Sequence, residues 1–191
     1  MAEKPATTKV YTANSSDSID CAVCLQQCVY PTVLPCGHVF CYLCIKGLGR
    51  TTKTCAMCRK EFSPDLLENP TLLHPIDSSS EPAFDDGHQW FYEGRNGWWQ
   101  YDERTSRDIE LSYKQGVSTC EVSIAGKIYT IDFNEMEQRQ KQNVLRNRRI
   151  KRDLSSIPKK GISGIRTSVR SHSNDDLETR LAMMNLDASD E

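Results

Sequence analysis

The sequence predicts an α+β protein of two small domains, a short cysteine-rich unit and then a sheet–helix–sheet unit. Three observations carry this prediction. Eight metal-type ligands are packed between Cys21 and Cys58. A stretch holding Pro64, Pro70, Pro75, Pro82 and the triple Ser78–Ser80 follows them and reads as a linker. Beyond it, aromatic and β-branched runs flank one helical segment.

The ligands run Cys21-x-x-Cys24, Cys36-x-His38, Cys41-x-x-Cys44 and Cys55-x-x-Cys58. Eight ligands make two tetrahedral sets of four. A set of three cysteines and one histidine suits a structural Zn²⁺, as does a set of four cysteines, and neither leaves an open position for catalysis. Two sequential fingers would use Cys21, Cys24, Cys36 and His38 for one ion. An interleaved arrangement would use Cys21, Cys24, Cys41 and Cys44 for the first ion, and Cys36, His38, Cys55 and Cys58 for the second. Spacing alone does not separate these. A disulfide framework is disfavoured: the count of nine cysteines is odd, a histidine fills a ligand slot, and Met1-Ala2-Glu3-Lys4-Pro5 lacks the apolar region of a secretory signal. The finger, residues 19–62, is too short to fold on apolar burial alone, so metal binding must supply much of its folding free energy. Its one short helix is expected over Cys41 to Gly47.

The other elements follow in order. Residues 1–18 are polar, rich in Ser and Thr, and expected to be a flexible leader. In the linker, residues 63–86, Leu66-Leu67 and Leu72-Leu73 are apolar and suited to docking it onto a neighbour. The second domain, residues 87–162, opens with Gln89–Glu93 and Trp98–Tyr101, joined by Gly94-Arg95-Asn96-Gly97 with its Asn-Gly hairpin signal. Thr105 reads as an N-cap with Asp108 three residues on, and Gly116 as the stop, bounding a helix of about ten residues. Cys120–Ile124 and Lys127–Phe133 are strands joined by Ala125-Gly126. From Arg139 to Lys160 the chain is basic, and residues 163–191 form an acidic, mostly disordered tail in which Leu177, Leu181 and Met184 fall at helical spacing.

Charge is nearly balanced, 24 Lys+Arg against 26 Asp+Glu, so the overall balance does not select a partner. No run approaches the roughly 20 apolar residues of a membrane span, so no membrane partner is expected. Reduced cysteines used for zinc point to the cytosol or nucleus.

The order of ligand types, one His fourth among seven Cys, closely resembles the RING finger family. That resemblance implies a cross-brace, the interleaved pairing. It also implies a surface for a ubiquitin-conjugating enzyme, whose ubiquitin thioester is held in a reactive pose near a substrate lysine, a gain of proximity and orientation. The positions matching the family's docking surface are Val23, between the first two ligands, and Leu48, four residues after Cys44. Arg59 follows the last ligand, where a basic residue in many members bridges the conjugating enzyme and ubiquitin; its fork of donors can reach two carbonyls. Ala56 departs from the usual Pro and makes that contact smaller. Cys28 and Cys120 read as ordinary thiols.

In the second domain, aromatics interleaved with Arg suit a ligand with flat rings and phosphates: RNA, DNA, nucleotides or poly(ADP-ribose). The stretch from Trp90 through Gly94-Arg95-Asn96-Gly97 to Glu103 closely resembles a WWE domain, which implies a twisted antiparallel half-barrel sheet with one helix. RING then WWE, followed by Ile150-Lys151-Arg152-Asp153 and Ile157-Pro158-Lys159-Lys160-Gly161, looks like the Iduna-type ubiquitin ligases. That family recognises iso-ADP-ribose, the internal unit of poly(ADP-ribose). Its contacts carry over to Tyr92, Arg95, Trp99, Tyr129, Gln138, Arg148 and Lys160. Tyr129 suits stacking on adenine, and Gln138 offers both a donor and an acceptor for its edge. Arg95, Arg148 and Lys160 suit the phosphates. The resemblance implies a ligase switched on by poly(ADP-ribose), with a ubiquitin-conjugating enzyme, ubiquitin, poly(ADP-ribosyl)ated proteins and tankyrase-like polymerases as partners. The alternative is a nucleic-acid-binding zinc adaptor without ligase activity.

Overall fold

The computed structural model describes residues 19–76, 84 and 86–167. The leader, the helical spacing at Leu177, Leu181 and Met184, and most of the acidic tail lie outside these residues. The finger holds β1 (Asp20–Cys21), β2 (Gln26–Gln27), β3 (Pro31–Val33), β4 (Val39–Cys41) and helix α1 (Tyr42–Thr51). Its strands pair as two small antiparallel ribbons, β1 with β2 and β3 with β4. Its core is small: Leu34, Phe40, Ile45 and Phe62 among the buried ligands Cys21, Cys41 and Cys55. Helix α1 runs one turn further than expected because Leu48, on the same face as Ile45, also packs against this core.

The first part of the linker belongs to the finger. Helix α2 (Asp65–Glu68) sets Leu66 and Leu67 against the finger core. Leu73 N–H donates to the Pro31 carbonyl and Val33 N–H to the Thr71 carbonyl, each at 2.8 Å. The apolar Leu pairs dock as their composition suggested.

The second domain has β5 (His88–Gly94), β6 (Gly97–Gln100), α3 (Glu103–Lys114), β7 (Thr119–Ile124), β8 (Lys127–Asp132), β9 (Glu137–Gln140), β10 (Asn143–Leu154), β11 (Gly161–Ile162) and β12 (Ile165–Arg166). They form one curled sheet in the order β12-β11-β6-β5-β10-β9-β8-β7. All neighbours are antiparallel except β11 beside β6. The sheet continues through β12, where Ile165 is buried, so the fold runs past the expected boundary at residue 162. Strands β9 and β10 were not foreseen. Their charged residues mask the alternation of a strand, which the pairing with β5 reveals.

Helix α3 closes the concave face. Trp90, Tyr101, Ile109, Val122, Ile131 and Ile150 form its core. Inside it, the Trp90 indole N–H donates to Glu110 at 2.8 Å, and Arg152 meets both Glu110 oxygens at 2.9 Å. The cap of α3 is Asp102, not Thr105. The Asp102 carboxylate accepts the Thr105 N–H at 3.1 Å and the Thr105 hydroxyl at 2.7 Å, which places Thr105 inside the first turn. Ser163 Oγ also donates to Asp102 at 3.2 Å and accepts from its N–H at 2.8 Å.

The two domains meet along a seam. The Tyr42 hydroxyl donates to the Gly164 carbonyl at 3.5 Å, and the Lys46 ammonium donates to the Ser163 carbonyl at 3.1 Å. Glycine is required at two points here. A Cβ on Gly47 would come within 3.0 Å of the Ala125 carbonyl carbon. Gly164 has φ +99°, and its Cβ would fall on the Lys46 ammonium.

Replacing Asp102 with Ala removes the cap and leaves the buried Thr105 and Ser163 hydroxyls without their acceptor. Urea denaturation should show a loss of about 2 kcal/mol. A loss indistinguishable from zero would show that the cap network is solvated.

Candidate functional site

The ligand atoms of the finger gather in two groups. Cys21, Cys24, Cys41 and Cys44 form one; Cys36, His38, Cys55 and Cys58 form the other, the donors of each group lying within 4.8 Å of one another. The pairing is therefore interleaved, the cross-brace. The distances fit zinc. Tetrahedral Zn–S bonds place sulfurs about 3.8 Å apart and a sulfur about 3.5 Å from an imidazole nitrogen. Cys24 and Cys41 sulfurs are 3.7 Å apart, and His38 Nδ1 lies 3.4 Å from Cys36 and 3.5 Å from Cys55. Each group can hold one Zn²⁺ through Cys thiolates, the second adding His38 Nδ1. Both sets are complete, so the ions brace the chain and leave no position for substrate.

Two zinc knuckles result. The residues directly after their second cysteines, Leu25 and Arg59, both take left-handed backbone, φ 58° and 60°. Each closes the turn by donating its N–H to the first cysteine's carbonyl, Leu25 to Cys21 at 2.8 Å and Arg59 to Cys55 at 2.9 Å. Backbone N–H groups also point at the sulfurs: Val29 at Cys41, 3.3 Å, and Met57 at Cys55, 3.4 Å. These donors offset thiolate charge.

Of the expected partner contacts, Val23 and Leu48 line one groove of about 610 Å³, in which Val23 is 40% exposed and Leu48 half-buried. Arg59 stands on the second knuckle and does not line it. Leu25 and Met57, 83% and 59% exposed, were missed. Both are apolar residues next to ligands in turns, a signal legible in the sequence.

The sheet register builds the other candidate site. Directly paired residues of an antiparallel sheet share a face, as do alternate residues of one strand. Tyr92 pairs with Trp99 and with Ile150. Arg148, two residues before Ile150, pairs with Gln138. Gln140 pairs with Tyr129. Hence Trp99, Tyr92, Arg148, Gln138 and Tyr129 share the inner face, which at its other end is the domain core.

The geometry is that of cations over rings. The Arg148 guanidinium lies 5.5 Å from the Tyr92 ring centre and the Lys160 ammonium 5.6 Å from that of Trp99. Arg148 makes no ion pair among the described residues. Its neighbour Arg149 faces the other side and is locked in a fork with Glu93 at 2.7 and 2.9 Å. Burial pushes the hydroxyl pKa of Tyr92 up, and that of Tyr101 well up, so both stay neutral donors. From the finger, Lys46 lies over the Tyr42 ring; burial, Arg50 and Arg148 disfavour its charge, while Glu68 favours it.

Two of the expected contacts stand in different settings. Gln138 is buried, its Oε1 accepts from the Tyr101 hydroxyl, and its amide N–H groups remain as donors. Arg95 is exposed in the Gly94–Gly97 turn and makes no ion pair among the described residues. Sequence reasoning missed Tyr101 and Lys46, because their places depend on packing across the sheet and across the seam.

Two family models match the chain. Residues 17–63 match the zinc finger of C3HC4 type, the RING finger, and residues 88–152 match the WWE domain. Together they define a RING–WWE protein. Over 156 residues the chain is 48% identical to the E3 ubiquitin-protein ligase rnf146 of Xenopus tropicalis, covering 80% of this chain and 49% of that one. It is 49% identical to RNF146 of Homo sapiens over 155 residues, 81% and 43% of the two chains. It is 51% identical to rnf146 of Salmo salar over 149 residues, 77% and 42%. The chain thus carries a RING finger and a WWE domain, and over most of its length it is similar to E3 ubiquitin-protein ligases named RNF146. It spans about half the length of the relatives it matches, or somewhat less.

Zinc content tests the assignment. Mass spectrometry of purified protein should find two ions in the wild type and in Cys28→Ser and Cys120→Ser, and one fewer in Cys24→Ser and His38→Ala. A full complement in His38→Ala, or a loss in Cys120→Ser, would contradict the ligand sets.

Proposed function

We propose that this chain is an E3 ubiquitin ligase that reads poly(ADP-ribose) and is activated by it. The observation that carries the reading is the inner sheet face, where Arg148, unpaired with any acid among the described residues, stands over Tyr92, and Lys160 stands over Trp99. Rings with cations beside them suit the adenine and phosphates of iso-ADP-ribose.

In the chemistry proposed, a conjugating enzyme docks at Val23 and Leu48 and Arg59 steadies its ubiquitin. A lysine amine of the poly(ADP-ribosyl)ated substrate attacks the thioester carbonyl, an isopeptide bond forms, and the conjugating enzyme's thiol leaves. The closed zinc sites take no part. The RING finger contributes orientation and the WWE domain proximity. Activation has a physical route, because a ligand touching Arg148, Lys160 and Lys46 would favour the docked arrangement of the two domains. It shifts that equilibrium only by its differential affinity for the two arrangements. Tankyrase-like polymerases are the proposed source of the mark, the cytosol and nucleus the proposed places of action, and degradation the proposed fate.

The adaptor reading is less well supported. The basic run is mostly neutralised: Arg139 by Glu137, Lys141 by Glu121, Arg149 by Glu93, Lys151 by Asp153 and Arg152 by Glu110 and Asp86. A nucleic-acid groove needs cations that are available to phosphates.

Ubiquitin discharge from a loaded conjugating enzyme, with and without iso-ADP-ribose, tests the proposal. Stimulation should appear in the wild type and in Lys159→Ala, and fall at least about tenfold in Tyr129→Ala, Arg148→Ala and Lys160→Ala. Equal stimulation in all would remove the proposed site. Tight, strongly salt-dependent binding of plain RNA without discharge would favour the adaptor.

A further inference from the structure

We propose that Arg104, in the first turn of α3 of the WWE domain, is a positioning residue that holds the first zinc knuckle of the RING finger in the shape presented to the conjugating enzyme. Its consequence for transfer rests on the ligase reading above; its geometry does not.

The Arg104 guanidinium crosses the seam and donates twice to the finger. Nη2 meets the Gln27 carbonyl at 2.6 Å, and Nη1 meets the Cys24 sulfur at 3.5 Å. These acceptors bracket Leu25 and Gln26. Leu25 has φ 58°, a conformation that a leucine keeps only when its surroundings hold it. The second knuckle has the same left-handed residue at Arg59, yet no hydrogen bond from the WWE domain reaches it among the described residues. The support is therefore specific to the first knuckle, which carries Val23 and Leu25 on either side of Cys24.

Arginine suits the task. Its planar fork serves two acceptors at once, and its charge meets a zinc-bound thiolate. Arg104 also lines the groove shared by Val23 and Leu48, together with Ser123 of β7 and Ala125 and Gly126 of the β7–β8 turn. The WWE domain thus supplies one wall of the surface where the conjugating enzyme docks.

The arginine is tied to the ligand side of the seam. It follows the Asp102 cap by two residues; Asp102 is bonded to Ser163, and the Ser163 carbonyl takes the Lys46 ammonium. An anion that drew Lys46 toward itself would act on the same turn that anchors Arg104.

Hydrogen exchange of the zinc-loaded full chain tests this directly. Amides 22–28 should exchange about tenfold faster in Arg104→Ala than in the wild type, and at an intermediate rate in Arg104→Lys. They should be unchanged in Arg107→Ala, whose residue lies on the same helix and pairs with Glu103. Amides 56–59 of the second knuckle should not change in any variant. Ubiquitin discharge should fall about tenfold in Arg104→Ala, while iso-ADP-ribose affinity stays within about twofold. Unchanged exchange at 22–28 would overturn the contact. Faster exchange with unchanged discharge would overturn the positioning role. Absence of discharge in the wild type would count against the ligase reading, and the exchange comparison would still decide the role of Arg104 in the knuckle.

Discussion

Alternation along β10 is the constraint on which the candidate ligand site depends. Strand β10 pairs with β5 on one side and β9 on the other. Every second residue must therefore face the inside of the curl. Arg148, Ile150 and Arg152 do so, and Arg149, Lys151 and Asp153 face outward. The three inner residues have three fates, set by depth. Arg152 is sealed into an ion cluster with Glu110, Ile150 is core, and Arg148 reaches the open end above Tyr92. A shift of one residue would exchange these roles and bury Arg149 in place of Ile150. The strand that reads in sequence as a basic run is thus a sorted set of structural and available charges.

Zinc makes the same kind of decision for the finger. Its few buried apolar residues cannot fix a chain of this length, and the cross-brace ties four segments to two points. Once α1 is fixed by Cys41 and Cys44, Tyr42, Lys46 and Gly47 are aimed at the second domain. Gly47 and Gly164 let the two backbones approach closely enough for Lys46 to reach Ser163. The two domains are coupled in part through polar contacts, Lys46 with Ser163 and Arg104 with Gln27 and Cys24. A charged ligand can bias such a seam.

Much of this was legible in the sequence. The eight ligands, the Asn-Gly hairpin, the stop at Gly116 and the α+β class follow from spacing and turn chemistry. The ligand pairing was open to spacing alone, because pairing is a property of the folded chain, and the cross-brace was carried by resemblance. The cap was misplaced by three residues because Asp102 and Thr105 are both good caps, and only the buried partner Ser163 selects Asp102. Strands β9 and β10 were hidden because their inward residues, Gln138, Gln140, Arg148 and Arg152, are nearly as polar as their outward ones, and Ile150 alone marks the core. The buried hydrogen bond from the Tyr101 hydroxyl to Gln138 could not be read ahead, because no local signal marks that pair. Arg104 and Lys46 were invisible, since each finds its role in the other domain.

The proposed ligand site straddles the seam, so that the RING finger contributes to what the WWE domain binds. Calorimetric titration of iso-ADP-ribose into the wild type and a zinc-loaded Lys46→Ala variant tests it most directly. The account predicts an affinity about tenfold weaker in the variant, as expected for loss of one charge-assisted contact to a phosphate. Equal affinity would confine the site to the WWE domain and leave the seam without a part in recognition.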